Sequence, residues 1–191
     1  MITAEQQGLN LAITVEGIEA PFVIRPLPGR MGKALTDIYL RTMARELHPE
    51  NMEDVFRIAL DGGRWADDER TKLVPLPEAE QLVYNRCEDT LSQAAGQDVL
   101  HAAFFWQTVL GIAGVNAYVE AGGGFAGGVK TLGSLVQTLG ISPLTTSPSS
   151  ALETLIRSQA STSPTTSPTA GSTIEKLPAN RRSRKPSKKR Q

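Results

Sequence analysis

Two stretches of this sequence place residue types at spacings that chemistry uses. Gly122-Gly123-Gly124-Phe125-Ala126-Gly127 has the G-x-G-x-x-G spacing with which a backbone can approach a pyrophosphate, and a helical pattern follows it. A dinucleotide loop leaves a strand inside a βαβ unit, whereas this one leaves a helical stretch. In Gly128-Val129-Lys130-Thr131, Val129 stands where a phosphate-binding loop carries its lysine. The glycines therefore read as a flexible hinge. The second stretch is Arg181-Arg182-Ser183-Arg184-Lys185-Pro186-Ser187-Lys188-Lys189-Arg190, seven cations in ten residues. Such a run binds phosphate backbones in a salt-dependent way, indifferent to base sequence. It has no interleaved aromatic residues for base stacking, which argues against specific single-strand recognition. An acidic protein surface, this chain's own body included, would attract the run equally, and a purely solubilising tail is the bland alternative.

The remaining candidates are weaker. Asp67-Asp68-Glu69 could chelate a hard cation, but three acids in a row usually mark a solvated loop. His48 and His101 are the only histidines, and neither has a partner at metal-ligand spacing. Cys87 is the only cysteine, so no internal disulfide can form, which fits a reducing compartment. It falls on the apolar side of a helical pattern and reads as a small buried hydrophobe. Trp65 and Trp106 read as packing residues. No set of side chains suggests a catalytic site, a cofactor, a metal or a small-molecule substrate, and the expectation is a protein that works by binding.

The elements that would position a binding surface are organised around Asp98–Gly122, DVLHAAFFWQTVLGIAGVNAYVEAG. This stretch holds four of the chain's ten aromatic residues and no charge between Ala102 and Val119. A helix apolar on nearly every side must be buried. Asp98 is expected to cap it, and the glycines from Gly122 to end it. As a membrane span its 18 uncharged residues lie at the lower limit. Gln107, Thr108 and Asn116 weaken that reading, no cationic or aromatic belt flanks it, and a domain centre is preferred.

Before it, Leu9, Leu11, Ile13 and Val15 alternate with polar or small residues, a half-buried strand. Glu16–Glu19 reads as a reversal and Phe22–Arg25 as the returning strand of a hairpin, closed by Pro26 and Pro28. Helical spacing runs from Gly32 to Leu47 through Leu35, Ile38, Tyr39, Met43 and Leu47. Asn51 can cap a second helix, with Met52, Val55, Phe56, Ala59 and Leu60 as its stripe. Arg64–Leu76 reads as a loop. Pro77 opens a third helix, with Ala79, Leu82, Val83, Cys87 and Leu91 inward and Gly96 separating it from the central one. A last short helix, Val129–Leu139, has Leu132, Leu135, Val136 and Leu139 on one side.

The fold class expected is mainly α: a small helical bundle with a short N-terminal β-hairpin and a disordered C-terminal tail. The divisions are 1–30 (hairpin packed on the body), 31–141 (helical body) and 142–191 (Ser/Thr/Pro-rich linker and basic tail). The formal net charge of zero conceals a split. Residues 1–150 hold 11 Lys+Arg against 18 Asp+Glu, or −7, and residues 151–191 hold 9 against 2, or +7. Within the tail, Ser150-Ala151-Leu152-Glu153 fits a capping box, and Leu152, Leu155 and Ile156 would form one side of a two-turn helix able to dock on a partner. Together with Arg181, Arg182, Arg184, Lys185, Lys188, Lys189 and Arg190 these are the candidate partner-binding residues. The N-terminus, MITAEQQGLN, lacks the basic-then-apolar layout of an export signal, and the expectation is an intracellular protein.

The "VIRPLP" step after a short hairpin, Phe105-Trp106-Gln107, Tyr118–Gly123 and the Ser/Thr/Pro tail ending in Lys/Arg form a recognisable layout. It resembles the tail assembly chaperones of long-tailed phages that infect actinobacteria. The loop Asp61–Leu76 departs from that likeness. The resemblance implies a non-enzymatic protein of the host cytoplasm, absent from the mature virion. It would bind the tape-measure protein and keep it soluble while tail-tube subunits polymerise around it. Self-association through the sheet edge is also expected. Two alternatives stand beside this: a nucleic-acid-associated protein anchored by the basic tail, and a small single-span membrane protein.

Overall fold

Leu11, Ile13 and Val15 alternate inward along a strand whose two neighbours complete a three-stranded antiparallel sheet. In the computed structural model, which describes residues 1–141, the strands are β1 (Ile2–Gln7), β2 (Asn10–Val15) and β3 (Phe22–Ile24), with β2 in the middle. The expected pairing is present, with Leu11 opposite Ile24 and Ile13 opposite Phe22. The strand before it was not expected. β1 pairs with β2 from Ile2–Val15 to Gln7–Asn10 around a two-residue turn, Gly8-Leu9. Gly8 adopts φ +63°, which a glycine tolerates without strain. Leu9, read as the first residue of a strand, is instead the turn tip and 79% exposed. β1 was illegible because AEQQ carries no apolar alternation; its pairing comes from backbone hydrogen bonds.

Among the described residues six helices follow: α1 (Gly29–Met43), α2 (Asn51–Asp61), α3 (Leu82–Thr90), α4 (Gln93–Gln107), α5 (Gly111–Glu120) and α6 (Gly124–Thr138). The described part is thus mainly helical, a bundle with a short N-terminal hairpin. α1 stops earlier than its apolar spacing suggests. Arg45 takes a left-handed φ of +61°, Arg45 N–H bonds Thr42 O and Glu46 N–H bonds Arg41 O, closing the helix four residues before Leu47. With an arginine rather than a glycine at that position, the stop was invisible in the sequence. Leu35 and Tyr39 point inward as expected, and Met43 is 42% exposed.

Arg64–Leu76 is not simply a loop. β4 (Gly63–Trp65) and β5 (Leu73–Pro75) form a small ribbon, with Leu73 buried. One of the acids between them, Asp67, holds the ribbon's turn. Asp67 accepts from Thr71 N (2.7 Å), Thr71 Oγ1 (2.5 Å) and Lys72 N (3.0 Å), and these donors hold its carboxyl below the usual range. Pro77 opens a single 3₁₀ turn, Glu78–Glu80, and α3 begins after it. α3 has no cap of its own. Asp61, at the end of α2, accepts from Val83 N and Tyr84 N at 2.7 Å each and caps it from a neighbouring helix. Leu82, expected to face inward, is 72% exposed. Arg86 ties α3 to the sheet, donating to Pro21 O and lying 4.3 Å over the Phe22 ring.

The greasy central stretch is two helices, not one. Thr108 ends α4, its hydroxyl donating to Phe105 O (2.7 Å) and accepting from Leu110 N (3.3 Å). α4 also begins before Asp98: Ser92 caps it, and Gly96 lies inside it. One hydrophobic cluster joins the sheet to the helices, with Phe22, Phe104, Phe105 and Tyr118 among its fully buried side chains. Tyr39 stacks on Phe104 at 4.0 Å. Among the described residues no helix is long and apolar enough to cross a membrane.

Candidate functional site

Two polar side chains of α4 determine how the helices meet. Gln107 is 8% exposed and all of its amide is used. Its Oε1 accepts from Leu27 N (2.8 Å), and its Nε2 donates to Arg25 O (2.8 Å) and Ala59 O (2.9 Å). One side chain thereby ties the Pro26 step to the end of α2. The backbone of α4 also comes very close to α1: a Cβ at Gly32 would lie 2.6 Å from Gln107 O.

Asp98 does not cap α4. It sits in the middle of that helix and reaches the next junction instead. Its Oδ1 accepts from Tyr118 Oη (2.7 Å) and from Gly124 N (2.8 Å), the first turn of α6. The glycine run is therefore not a phosphate cradle: a carboxylate of the same chain occupies the helix N-terminus where an anion would bind. Gly123, at φ +65°, belongs there because a Cβ would lie 2.8 Å from that carboxylate oxygen. The Tyr118 hydroxyl is raised well above its ordinary value, by burial first and by Asp98 second. It stays neutral and serves as a donor. His101 stacks near Tyr118 (5.8 Å between rings), and its Nδ1 donates to Gln97 O at 2.7 Å. Burial holds its imidazole below the usual value. Beside this junction a shallow depression of about 450 Å³ is lined by Gln93, Ala94, Gln97, Asp98, Gly122 and Gly124. Its one charged group, Asp98, is already engaged. Cys87 is buried at the α3–α4 contact and its thiol is pushed up to about 12, so it packs and does not react. Among the described residues no group of three or more His, Cys, Asp or Glu side chains gathers to hold a metal ion.

The surface that stands out is apolar. α6 begins at Gly124 rather than Val129, absorbing most of the expected hinge. Its inward face is Gly127, Thr131 and Leu135. Gly127 lets the helix lie on α5, since a Cβ there would meet Tyr118 O at 2.9 Å. Val136 and Leu139, expected on the same side as Leu135, turn away from that face together with Phe125 and Val129, while Leu132 lies at its border, half-buried against the core cluster. Phe125 is 57% exposed and Leu139 is 40% exposed, with Val129, Leu132 and Val136 half-buried between them. The five positions 125, 129, 132, 136 and 139 alternate steps of four and three, the seam spacing of a helix that meets another helix. Phe125 was hidden inside the glycine run, and Val129, read as the first residue of the last helix, was not counted in its stripe; the four-three spacing, read back from Leu139, is the signal that finds them.

The other candidate partner residues, Leu152, Leu155, Ile156, Arg181, Arg182, Arg184, Lys185, Lys188, Lys189 and Arg190, lie outside the described residues. Searches against protein-family models, curated proteins and solved structures return no match to this chain.

Proposed function

We propose that the protein is a tail assembly chaperone of a long-tailed phage, acting by binding rather than by catalysis. It holds the tape-measure protein in solution while tail-tube subunits polymerise around that client. The observation that carries this reading is the half-exposed apolar seam on α6, flanked by a body whose net charge over residues 1–150 is −7. A long helical client offers apolar faces that aggregate when bare, and a helix with a free seam covers them by helix-against-helix contact. The acidic surface keeps such a complex dispersed. The layout of the sequence, with its "VIRPLP" step, aromatic central helix and basic end, supports the same reading.

The test is co-expression with the tape-measure gene of the same phage. The client is expected to move from the pellet to the soluble fraction, and to return to the pellet with a Phe125→Glu, Leu139→Glu variant. Unchanged client solubility with the natural chain overturns the proposal. The run of seven cations in residues 181–190 favours a second reading, anchorage to nucleic acid. Salt-sensitive DNA binding that disappears on deleting residues 176–191 would select it.

A further inference from the structure

The α6 seam has a composition that identifies a partner. In heptad terms Val129 and Val136 occupy a, and Phe125, Leu132 and Leu139 occupy d. β-branched residues at a with leucine at d favour two parallel strands. The flanking e positions within the helix are Ala126 and Gly133, and a Cβ at Gly133 would meet nothing, so a second helix can approach closely. Charge points the same way. Two bodies of −7 repel over most of their surface, but α6 carries a single charge in 15 residues, Lys130, at the outer b position. Two copies can therefore meet along α6 with the least opposition.

We propose that the α6 seam pairs with the α6 seam of a second copy of this chain, in parallel and about a two-fold axis. Residue 125 then faces 125 and residue 136 faces 136, the self-complementary arrangement of a two-fold contact. The chain's own Leu152-Leu155-Ile156 segment is the nearest competing occupant. It offers three apolar residues, against the five that a second α6 supplies. A 15-residue helix is about 22 Å long, and a seam of that length falls short of the roughly 1,200 Å² that stable complexes bury. The pairing is accordingly reversible, and a client helix displaces it. This goes beyond client binding and needs only the purified chain, so it stands or falls separately from the phage reading.

The test is sedimentation velocity on the full chain from low to high micromolar concentration. A monomer–dimer shift is expected, weakened at least about tenfold by Phe125→Glu with Leu139→Glu and unchanged by Leu9→Glu at the remote hairpin tip. Circular dichroism confirms that each variant is folded. A second readout avoids charge altogether. Phe125→Cys is expected to form a disulfide-linked dimer under mild oxidation much faster than Leu9→Cys, because d positions in a parallel pair lie within bridging distance. Buried Cys87 stays silent in both. A chain monomeric at every concentration, a dimer indifferent to the Phe125 and Leu139 changes, or equal cross-linking at positions 9 and 125 overturns the proposal. So does efficient cross-linking of Phe125→Cys to Leu139→Cys in a mixture, which marks an antiparallel pair. Dimerisation that needs Leu152→Glu, Leu155→Glu and Ile156→Glu assigns the seam to the tail instead.

Discussion

α4 and α6 are both 15 residues long, yet they solve opposite problems. α4 buries Val99, Ala102, Ala103, Phe104, Phe105 and Gln107, and it meets neighbours on several sides: α2, α3, α5, α6 and the sheet. α6 buries Gly127, Thr131 and Leu135 and packs chiefly on α5 and α4, leaving its heptad seam half-covered. Mean apolarity does not separate the two. What separates them is how apolar residues are distributed around the axis. α4 has them on every side and must be enclosed. α6 has a small-residue face for its own body and a larger-residue seam beside it. The first helix builds the protein, and the second is available to something else.

The largest expected effect is in α4. Phe104→Ala is expected to cost about 4 kcal/mol in urea unfolding, from lost transfer energy and the cavity left under Tyr39. A cost below about 1 kcal/mol would mean that α4 is not the enclosed helix described above. Next comes Gln107→Leu, nearly isosteric but apolar. It orphans Leu27 N, Arg25 O and Ala59 O and should cost about 3 kcal/mol by the same measurement. The α5–α6 junction is less demanding. Tyr118→Phe removes only the hydrogen bond to Asp98 and should cost about 1 kcal/mol, with faster amide exchange at Gly124 as the local sign.

The smallest effect is a pH dependence. His101 lies among Phe56, Tyr118, Gly128, the Gln97 carbonyl and Asp98, and its folded-state pKa is depressed by burial. Below about pH 6.5 the unfolded chain takes up a proton that the folded chain resists. Stability should therefore fall as pH drops through that value, and level off once the folded imidazole also protonates. His101→Gln should flatten that part of the stability–pH curve. A curve identical to that of the natural chain would remove His101 from the account.

Much of this fold was legible from the sequence. The stripes of α2 and the central aromatic stretch, the β2–β3 pairing and the burial of Cys87 all follow from periodicity, because an apolar face at regular spacing must be covered. β1 and the early end of α1 were hidden. Ala4-Glu5-Gln6-Gln7 has no apolar pattern, and the α1 stop uses Arg45 where glycine is usual. The β4–β5 ribbon was masked by a run of charges, of which Asp67 accepts hydrogen bonds from the ribbon's own backbone.

At the candidate site the division is sharper. The sequence by itself determined that the aromatic part of residues 98–122 is buried, although Val109 at the break is 65% exposed, and that apolar side chains recur through residues 125–139, since side-chain chemistry and spacing fix both. Only the tertiary structure decided where the greasy stretch breaks, at a threonine whose hydroxyl competes for backbone partners. It also decided that Asp98 fills the anion position at the start of α6, and that Leu135 faces inward while its neighbour Val136 does not. Periodicity gives a helix its faces, but which face meets the body depends on where glycines such as Gly127 let two backbones touch, and that is settled by contacts distant in the chain.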